Sequence, residues 1–182
     1  TFISTTQITA TISDSDLLEG GPVPITVVNP EPGMSESAPK NFNVNYAMPQ
    51  LEALNLDQAP VGSSDIALEA YGSNFAPTSV IKLGVDVLPS TFVSSPQLNA
   101  NIPASLLTFG RFVDITVFTP APGGGQSLPI TFSVVNPMPA LTTINPASVM
   151  AGGAAFTITV TGTSFVPNSE VLFNGQARPT TF

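Results

Sequence analysis

Apolar and small polar residues take turns along most of this chain. In Phe156-Thr157-Ile158-Thr159-Val160-Thr161 every second residue is apolar, which is the pattern of a strand with one buried face. Residues 7–12 and 97–102 alternate in the same way, as do 113–117. Residues 23–27 repeat that last run with Pro24 at its edge, and residues 66–71 are less regular but also end at a glycine. Thr119-Pro120-Ala121-Pro122-Gly123-Gly124-Gly125 breaks the alternation, and residues 129–135 resume it with Ile130, Phe132 and Val134 on one face. Two strands around a Gly-rich break predict a hairpin with a long turn. No segment spaces its apolar residues for a helix over three turns, and frequent Pro opposes long helices. Short strands separated by turn residues every eight to twelve positions predict an all-β, antiparallel sandwich.

The pattern is periodic on a larger scale. Thr1-Phe2 recurs as Thr91-Phe92 and as Thr181-Phe182, a spacing of 90 residues. About thirty of the ninety-two positions that can be compared at that offset are identical. Many identities fall on residues that set backbone shape. Gly20, Pro30, Pro32 and Gly33 match Gly110, Pro120, Pro122 and Gly123, and Gly72, Phe75, Pro77 and Ser79 match Gly162, Phe165, Pro167 and Ser169. Apolar positions match as well: Phe42 with Phe132, Val44 with Val134, Leu51 with Leu141. A fixed period of this kind predicts tandem copies of one structural unit, and about ninety residues suits a small β-sandwich. The phase of the repeat predicts a complete unit over residues 47–136. It places the later strands of a unit in residues 1–46 and the early strands of a further unit in residues 137–182.

Three segments carry a resemblance. The first is Pro139-Ala140-Leu141-Thr142-Thr143-Ile144-Asn145-Pro146, followed by Gly152-Gly153. The second runs through Thr161-Gly162-Thr163-Ser164-Phe165-Val166-Pro167-Asn168-Ser169 to Val171-Leu172-Phe173-Asn174-Gly175, and the third is Pro120-Ala121-Pro122-Gly123-Gly124-Gly125-Gln126-Ser127. Taken in this order they are similar to the IPT/TIG domain, the immunoglobulin-like fold shared by plexins and transcription factors, in its bacterial tandem form. The resemblance extends over essentially the whole chain. The earlier copy departs from it at one turn, where Ile81-Lys82-Leu83-Gly84 stands in place of Phe-Asn-Gly. The resemblance implies tandem early-set immunoglobulin-like sandwiches whose fold-defining turns lie at Gly72, Phe75, Pro77, Gly162, Phe165, Pro167, Pro120, Pro122 and Gly123. It also implies a spacer or binding module on a large bacterial surface or secreted protein. That family has no shared catalytic residues, so none is carried over, and no enzyme activity or cofactor is expected. Fold alone does not dictate function.

Composition changes this picture in a few places. Charged residues make up 9% of the chain, against about 25% in an average soluble domain. Yet apolar stretches are cut by Pro, Gly or Asn within about ten residues, whereas a membrane-spanning helix needs roughly twenty, so no membrane insertion is expected. Pro, Gly, Ser and Thr are also the residues of disordered linkers, but a chain that is 42% hydrophobic with its apolar residues in phase has the means to build a core. The net charge is −8, and the cations are Lys40, Lys82, Arg111 and Arg178. Phosphate backbones are held by clustered cations, so a nucleic-acid partner is not expected, and the DNA-contacting members of the family are similar in fold only. With no Cys and no His, thiolate and imidazole chemistry is absent from the chain.

Several local features suggest ligands and are outweighed by plainer readings. Asp14, Asp16 and Glu19 form the one tight acidic cluster, and oxygen-rich clusters suit Ca²⁺. The positions 90 residues on are Ala104, Leu106 and Phe109, which favours a solvated loop over a metal site. The same absence weighs against a carboxylate pair for glycoside hydrolysis. Gly123-Gly124-Gly125 lacks the Lys-Ser/Thr and the helix of a phosphate loop. Tyr46 and Tyr71 are candidate sugar platforms, with junction packing as the alternative.

Half of a sandwich has an apolar face with nothing over it, and a patch of that size implies a partner. The connections at Ala47-Met48-Pro49 and Pro137-Met138-Pro139 are short, which predicts that the two halves sit at opposite ends of the middle unit. Completion by a longer covalent array and completion by another chain both produce a head-to-tail contact that propagates. The leading expectation is a structural repeat segment of an extracellular or cell-surface fibre or stalk, with other copies or neighbouring repeats as its partners. The alternative is an adhesion or carbohydrate-binding module with a glycan ligand.

Overall fold

The computed structural model describes residues 1–33 and 35–182, and every strand among them belongs to an all-β arrangement without α-helix. The chain opens with β1 (Phe2–Ser4) and β2 (Gln7–Ile8), a 3₁₀ turn at Asp14–Leu17, then β3 (Gly21–Ile25) and β4 (Lys40–Val44). Within this segment β1 pairs only with β2, and β3 only with β4.

The middle segment holds β5 (Gln50–Leu54), β6 (Gln58–Pro60), β7 (Ile66–Ser73), β8 (Val80–Leu83), β9 (Asp86–Val87), β10 (Ser90–Ser94), β11 (Gln97–Ile102), β12 (Arg111–Thr119), β13 (Gly125–Gln126) and β14 (Ile130–Val135). These form two sheets, one in the order β10-β11-β7-β5 and the other in the order β6-β14-β12-β8-β9, with β13 folded back on β12. The pairings are antiparallel apart from β6 on β14. The rest of the chain contains β15 (Ala140–Asn145), β16 (Thr159–Thr163), β17 (Val171–Phe173) and β18 (Gln176–Arg178), again as two separate hairpins.

Among the described residues only the middle segment has a core. Alternation delivers Leu98, Ala100 and Ile102 from β11, Leu68 and Ala70 from β7, and Phe132 and Val134 from β14 into one cluster fed by both sheets. Each large side chain buried in this way contributes about 1.5–3 kcal/mol. Ser79 lies inside too, where its hydroxyl accepts from the Ala76 amide at 2.8 Å and meets Thr119 Oγ1 at 2.7 Å. Buried hydroxyls are tolerated only when paired in this manner.

Local geometry recurs at the 90-residue offset. The pairing of β1 with β2 joins Phe2 to Ile8 and Ser4 to Gln7, while that of β10 with β11 joins Phe92 to Leu98 and Ser94 to Gln97, with the same irregularity between the pairs. The irregularity between Leu51 and Ala53 on β5 reappears between Leu141 and Thr143 on β15. Asn74 and Ser164 both take left-handed φ angles, 62° and 63°. The Ala76 and Val166 amides donate to Ser79 and Ser169 at 2.8 and 2.9 Å. Gly72 shows why a glycine is needed there: a Cβ would run into the Gln50 carbonyl oxygen and come within 2.9 Å of the Phe75 ring. Gly162 stands in the same relation to Ala140 and Phe165.

Two strands are shorter than their alternation predicts. Residues 7–12 pair only as far as Ile8, and the strand predicted from Phe156 begins at Thr159. The cause lies in the neighbours. In the middle segment β11 is held on one edge by β10 and on the other by β7, whose Ile66 faces Ile102. β2 lacks a strand in the place of β7, and β16 lacks one in the place of β11. Without that second ladder the outer residues have no facing strand, although the Thr9 amide still donates to Thr1 O at 2.9 Å, and alternation alone does not make a strand.

The connections sit at opposite ends of β12. On the incoming side the Tyr46 amide donates to Pro122 O at 2.9 Å, and the Gly124 amide donates to Tyr46 O at 2.8 Å, beyond the Thr119 end of the strand. On the outgoing side Asn136 packs against Gly110, next to Arg111 at the other end. A nine-residue strand spans about 30 Å, so the chain comes in and leaves on opposite sides of the core.

Candidate functional site

The surface that stands out is built from positions that the middle segment buries. Phe132 is fully buried, whereas Phe42 is 53% exposed. Leu98 is fully buried and Ile8 is 53% exposed; Leu51 is 8% exposed and Leu141 is 61%. Ile12, Ile25 and Val27 are exposed too, although Ile102, Ile115 and Val117 are fully buried. The residue types are alike and their local backbone is alike. What differs is the presence of a facing sheet. An apolar sheet face of this kind is stable when another layer covers it, and a lone two-stranded hairpin is at best marginal in water.

In residues 137–182 the apolar surface encloses a cleft of about 470 Å³ between hairpin β15–β16 and hairpin β17–β18. Pro139, Leu141, Val160, Phe165, Val171 and Phe182 are among its lining residues. Val160, Phe165 and Val171 stay half-buried in its wall. Glu170 also borders it, but the walls are mostly aliphatic and aromatic, so the cleft suits an apolar side chain better than a polar ligand.

The turns expected to define the fold divide between two tasks. Gly72, Phe75 and Pro77, and Gly162, Phe165 and Pro167, shape the bend after β7 and the bend after β16. Pro120, Pro122 and Gly123 form a seat for the incoming connection. Gly123 and Gly124 have φ angles of 70° and 67°, and a Cβ on Gly123 would strike the Tyr46 carbonyl oxygen and lie 2.8 Å from Asn45 Cβ. The Tyr46 ring covers Gly20, where a Cβ would sit 2.6 Å from it. Asn74 Nδ2 donates to Met48 O at 3.2 Å and fixes the next residues of the connection. Reading the sequence did not single out this seat. Gly20 and Gly110 are identical across the offset, but the side chains that cover them, Tyr46 and Asn136, are not, so no identity linked the two ends.

The other candidates are not brought together. Asp16 Oδ2 accepts from the Ser13 amide at 3.0 Å and from the Ser13 hydroxyl at 2.6 Å, and Asp14 Oδ1 accepts from the Ser15 amide at 2.9 Å. The Ser13 hydrogen bonds, side chain before backbone, hold the Asp16 carboxyl below its ordinary range. Both carboxylates therefore cap the 3₁₀ turn, and among the described residues no three potential metal ligands, Glu19 included, gather into a cluster. The Tyr71 hydroxyl donates to Glu69 Oε2, and this bond raises the tyrosine above its usual range. Arg111 lays its guanidinium 4.8 Å from the Phe109 ring centre and donates to Leu106 O at 3.2 Å. Among the described residues no helix is long and apolar enough to cross a membrane.

No model of a known protein family matches the chain, and no curated protein matches it.

Proposed function

We propose that this chain is a non-enzymatic structural segment of an extended extracellular or cell-surface fibre or stalk. It is made of immunoglobulin-like units of the IPT/TIG type with a period of 90 residues. Residues 47–136 form one complete two-sheet unit. Residues 1–46 supply the later strands of a unit and residues 137–182 the early strands. Neighbouring copies or repeats meet head to tail where these strands face each other.

One observation carries the reading: positions that are buried in the middle segment are exposed, with the same residue types and the same local pairing, on both sides of it. Connections at opposite ends of β12 favour a string of units over a closed cluster. Its role would be mechanical. Each core holds one unit, and the hydrogen-bonded seat around Tyr46 limits bending between neighbours. A heterologous contact of this kind propagates because the surface it uses at one end differs from the surface it leaves free at the other.

Negative-stain electron microscopy of the native material tests this. Elongated particles with one regular axial repeat are the expected result. Compact particles the size of a single chain contradict it. A glycan array separates it from the adhesin alternative, since a fibre segment should retain no sugar and a carbohydrate-binding module should retain one.

A further inference from the structure

We propose that Asn174–Gly175, the tip of hairpin β17–β18, is a self-modifying site at which the Asn174 side-chain amide is lost to water through a cyclic imide. The site does not depend on what covers the flanking sheets. Its counterpart on the complete unit is Gly84–Val85, and Val85 there is 90% exposed.

The tip is a two-residue turn, because Phe173 pairs with Gln176. Asn174 and Gly175 have φ angles of 51° and 77°. Positive φ at both central residues makes a type I′ turn, which the Asn-Gly pair favours. In the middle segment Leu83 pairs with Asp86 around Gly84, whose φ is 61°, and Val85. The same hairpin is turned there without a side-chain amide.

Asn is among the chemically labile residues of proteins, and its lability depends on the nitrogen that follows it. Asn174 alone precedes a glycine. The other asparagines precede Pro, which has no N–H, or a residue whose side chain crowds that nitrogen. A Cβ on Gly175 would meet nothing within 4 Å, and both tip residues are exposed. Among the described residues the Gly175 amide has no acceptor. Asn168 is exposed too, but the Ser169 amide that follows it donates to Val166 O at 2.8 Å.

The reaction balances with water alone. The deprotonated Gly175 nitrogen attacks Asn174 Cγ. The N–Cγ bond forms, the Cγ–Nδ2 bond breaks, and Nδ2 leaves as ammonia with the proton that the amide gave up. Attack requires rotation about the Asn174 Cα–C bond out of the type I′ turn, and a following glycine resists this least. Water then opens the imide at either carbonyl. Breaking the new N–Cγ bond leaves aspartate. Breaking the original peptide bond leaves isoaspartate, whose main chain runs through Cβ and Cγ. That extra methylene has no room in a two-residue turn, so the pairs Phe173–Gln176, Leu172–Ala177 and Val171–Arg178 loosen.

Incubation of the full chain in mildly alkaline buffer, followed by peptide mapping with mass spectrometry, tests this. Asn174 should gain the mass of an amide-to-acid conversion, as a mixture of isoaspartate and aspartate. It should do so at least about tenfold faster than Asn168, a factor equal to about 1.4 kcal/mol of barrier. The rate should rise with pH, since the attacking nitrogen must lose its proton. Asn174→Gly copies the Gly84 tip and should abolish the conversion in that peptide. In the separated isoaspartate form, amides of residues 171–178 should exchange faster than in the fresh chain, and those of residues 80–87 should not change. An Asn174 that stays intact in the folded chain while the urea-unfolded chain converts, conversion of Asn168 at an equal rate, or aspartate as the sole product would each overturn the site. Unchanged exchange at residues 171–178 in the isoaspartate form would overturn the loosening.

Discussion

The middle segment and its two flanks contain closely similar sequence, and the comparison shows how much of a β-protein's order comes from the facing sheet. Residues 91–135 repeat the pairings of residues 1–45 down to the irregularity in the first hairpin. Yet Leu98, Ile115 and Phe132 are fully buried, and Ile8, Ile25 and Phe42 are not. Local hydrogen bonds and turn residues suffice to specify a hairpin. They do not supply the apolar burial that stabilises it.

The largest expected effect separates Phe132 from Phe42. Phe132→Ala should cost the middle segment about 3–5 kcal/mol by emptying a closed core, read from denaturant unfolding followed by circular dichroism. Phe42→Ala in dilute solution should leave that transition in place. Matching losses from the two substitutions would mean that the flank shares the middle core.

The two bends make a smaller contrast. Gly72→Ala pushes a methyl group into the Gln50 carbonyl, and such overpacking costs about 1–3 kcal/mol. Gly162→Ala meets the same obstacle at Ala140, but should leave the unfolding midpoint of the middle segment unchanged. The serines sharpen this further. Ser79→Ala strands the Ala76 amide and Thr119 hydroxyl in the interior, at about 1–3 kcal/mol. Ser169→Ala opens only a half-buried turn and should stay within about 0.5 kcal/mol.

The smallest effect is one of pH. The Ser13 hydrogen bonds lower the Asp16 carboxyl in the folded turn, so their contribution is present above the ordinary carboxylate range and is lost as pH falls through the depressed value. Amide shifts of residues 13–17 should report loosening of the 3₁₀ turn in acid. The 3₁₀ turn at Ala104–Leu106 carries no acidic residue of its own, and its Ala104 amide donates instead to Asp65 Oδ1 at 2.9 Å.

Much of this architecture was legible in the residues. The 90-residue offset placed the turns, and alternation placed the inward positions of β11, β12 and β14. Alternation failed at residues 9–12 and 156–158, where strand length depends on a second ladder that no local pattern encodes. The Tyr46 seat was hidden for a different reason: it joins a connection to a turn about seventy-five residues away through backbone atoms, and backbone hydrogen bonds leave no residue signature. The acidic cluster was a fair candidate by composition, but two of its carboxylates are engaged in capping their own turn.

The most direct measurement is amide hydrogen exchange across residues 7–12 and 97–102, followed over a range of chain concentrations. Amides at 97–102 should be protected at every concentration. Those at 7–12 should exchange faster than 97–102 in dilute solution, where no second ladder holds them, and should slow only when a facing sheet covers them. Protection at 7–12 equal to that at 97–102 in dilute solution would contradict the account.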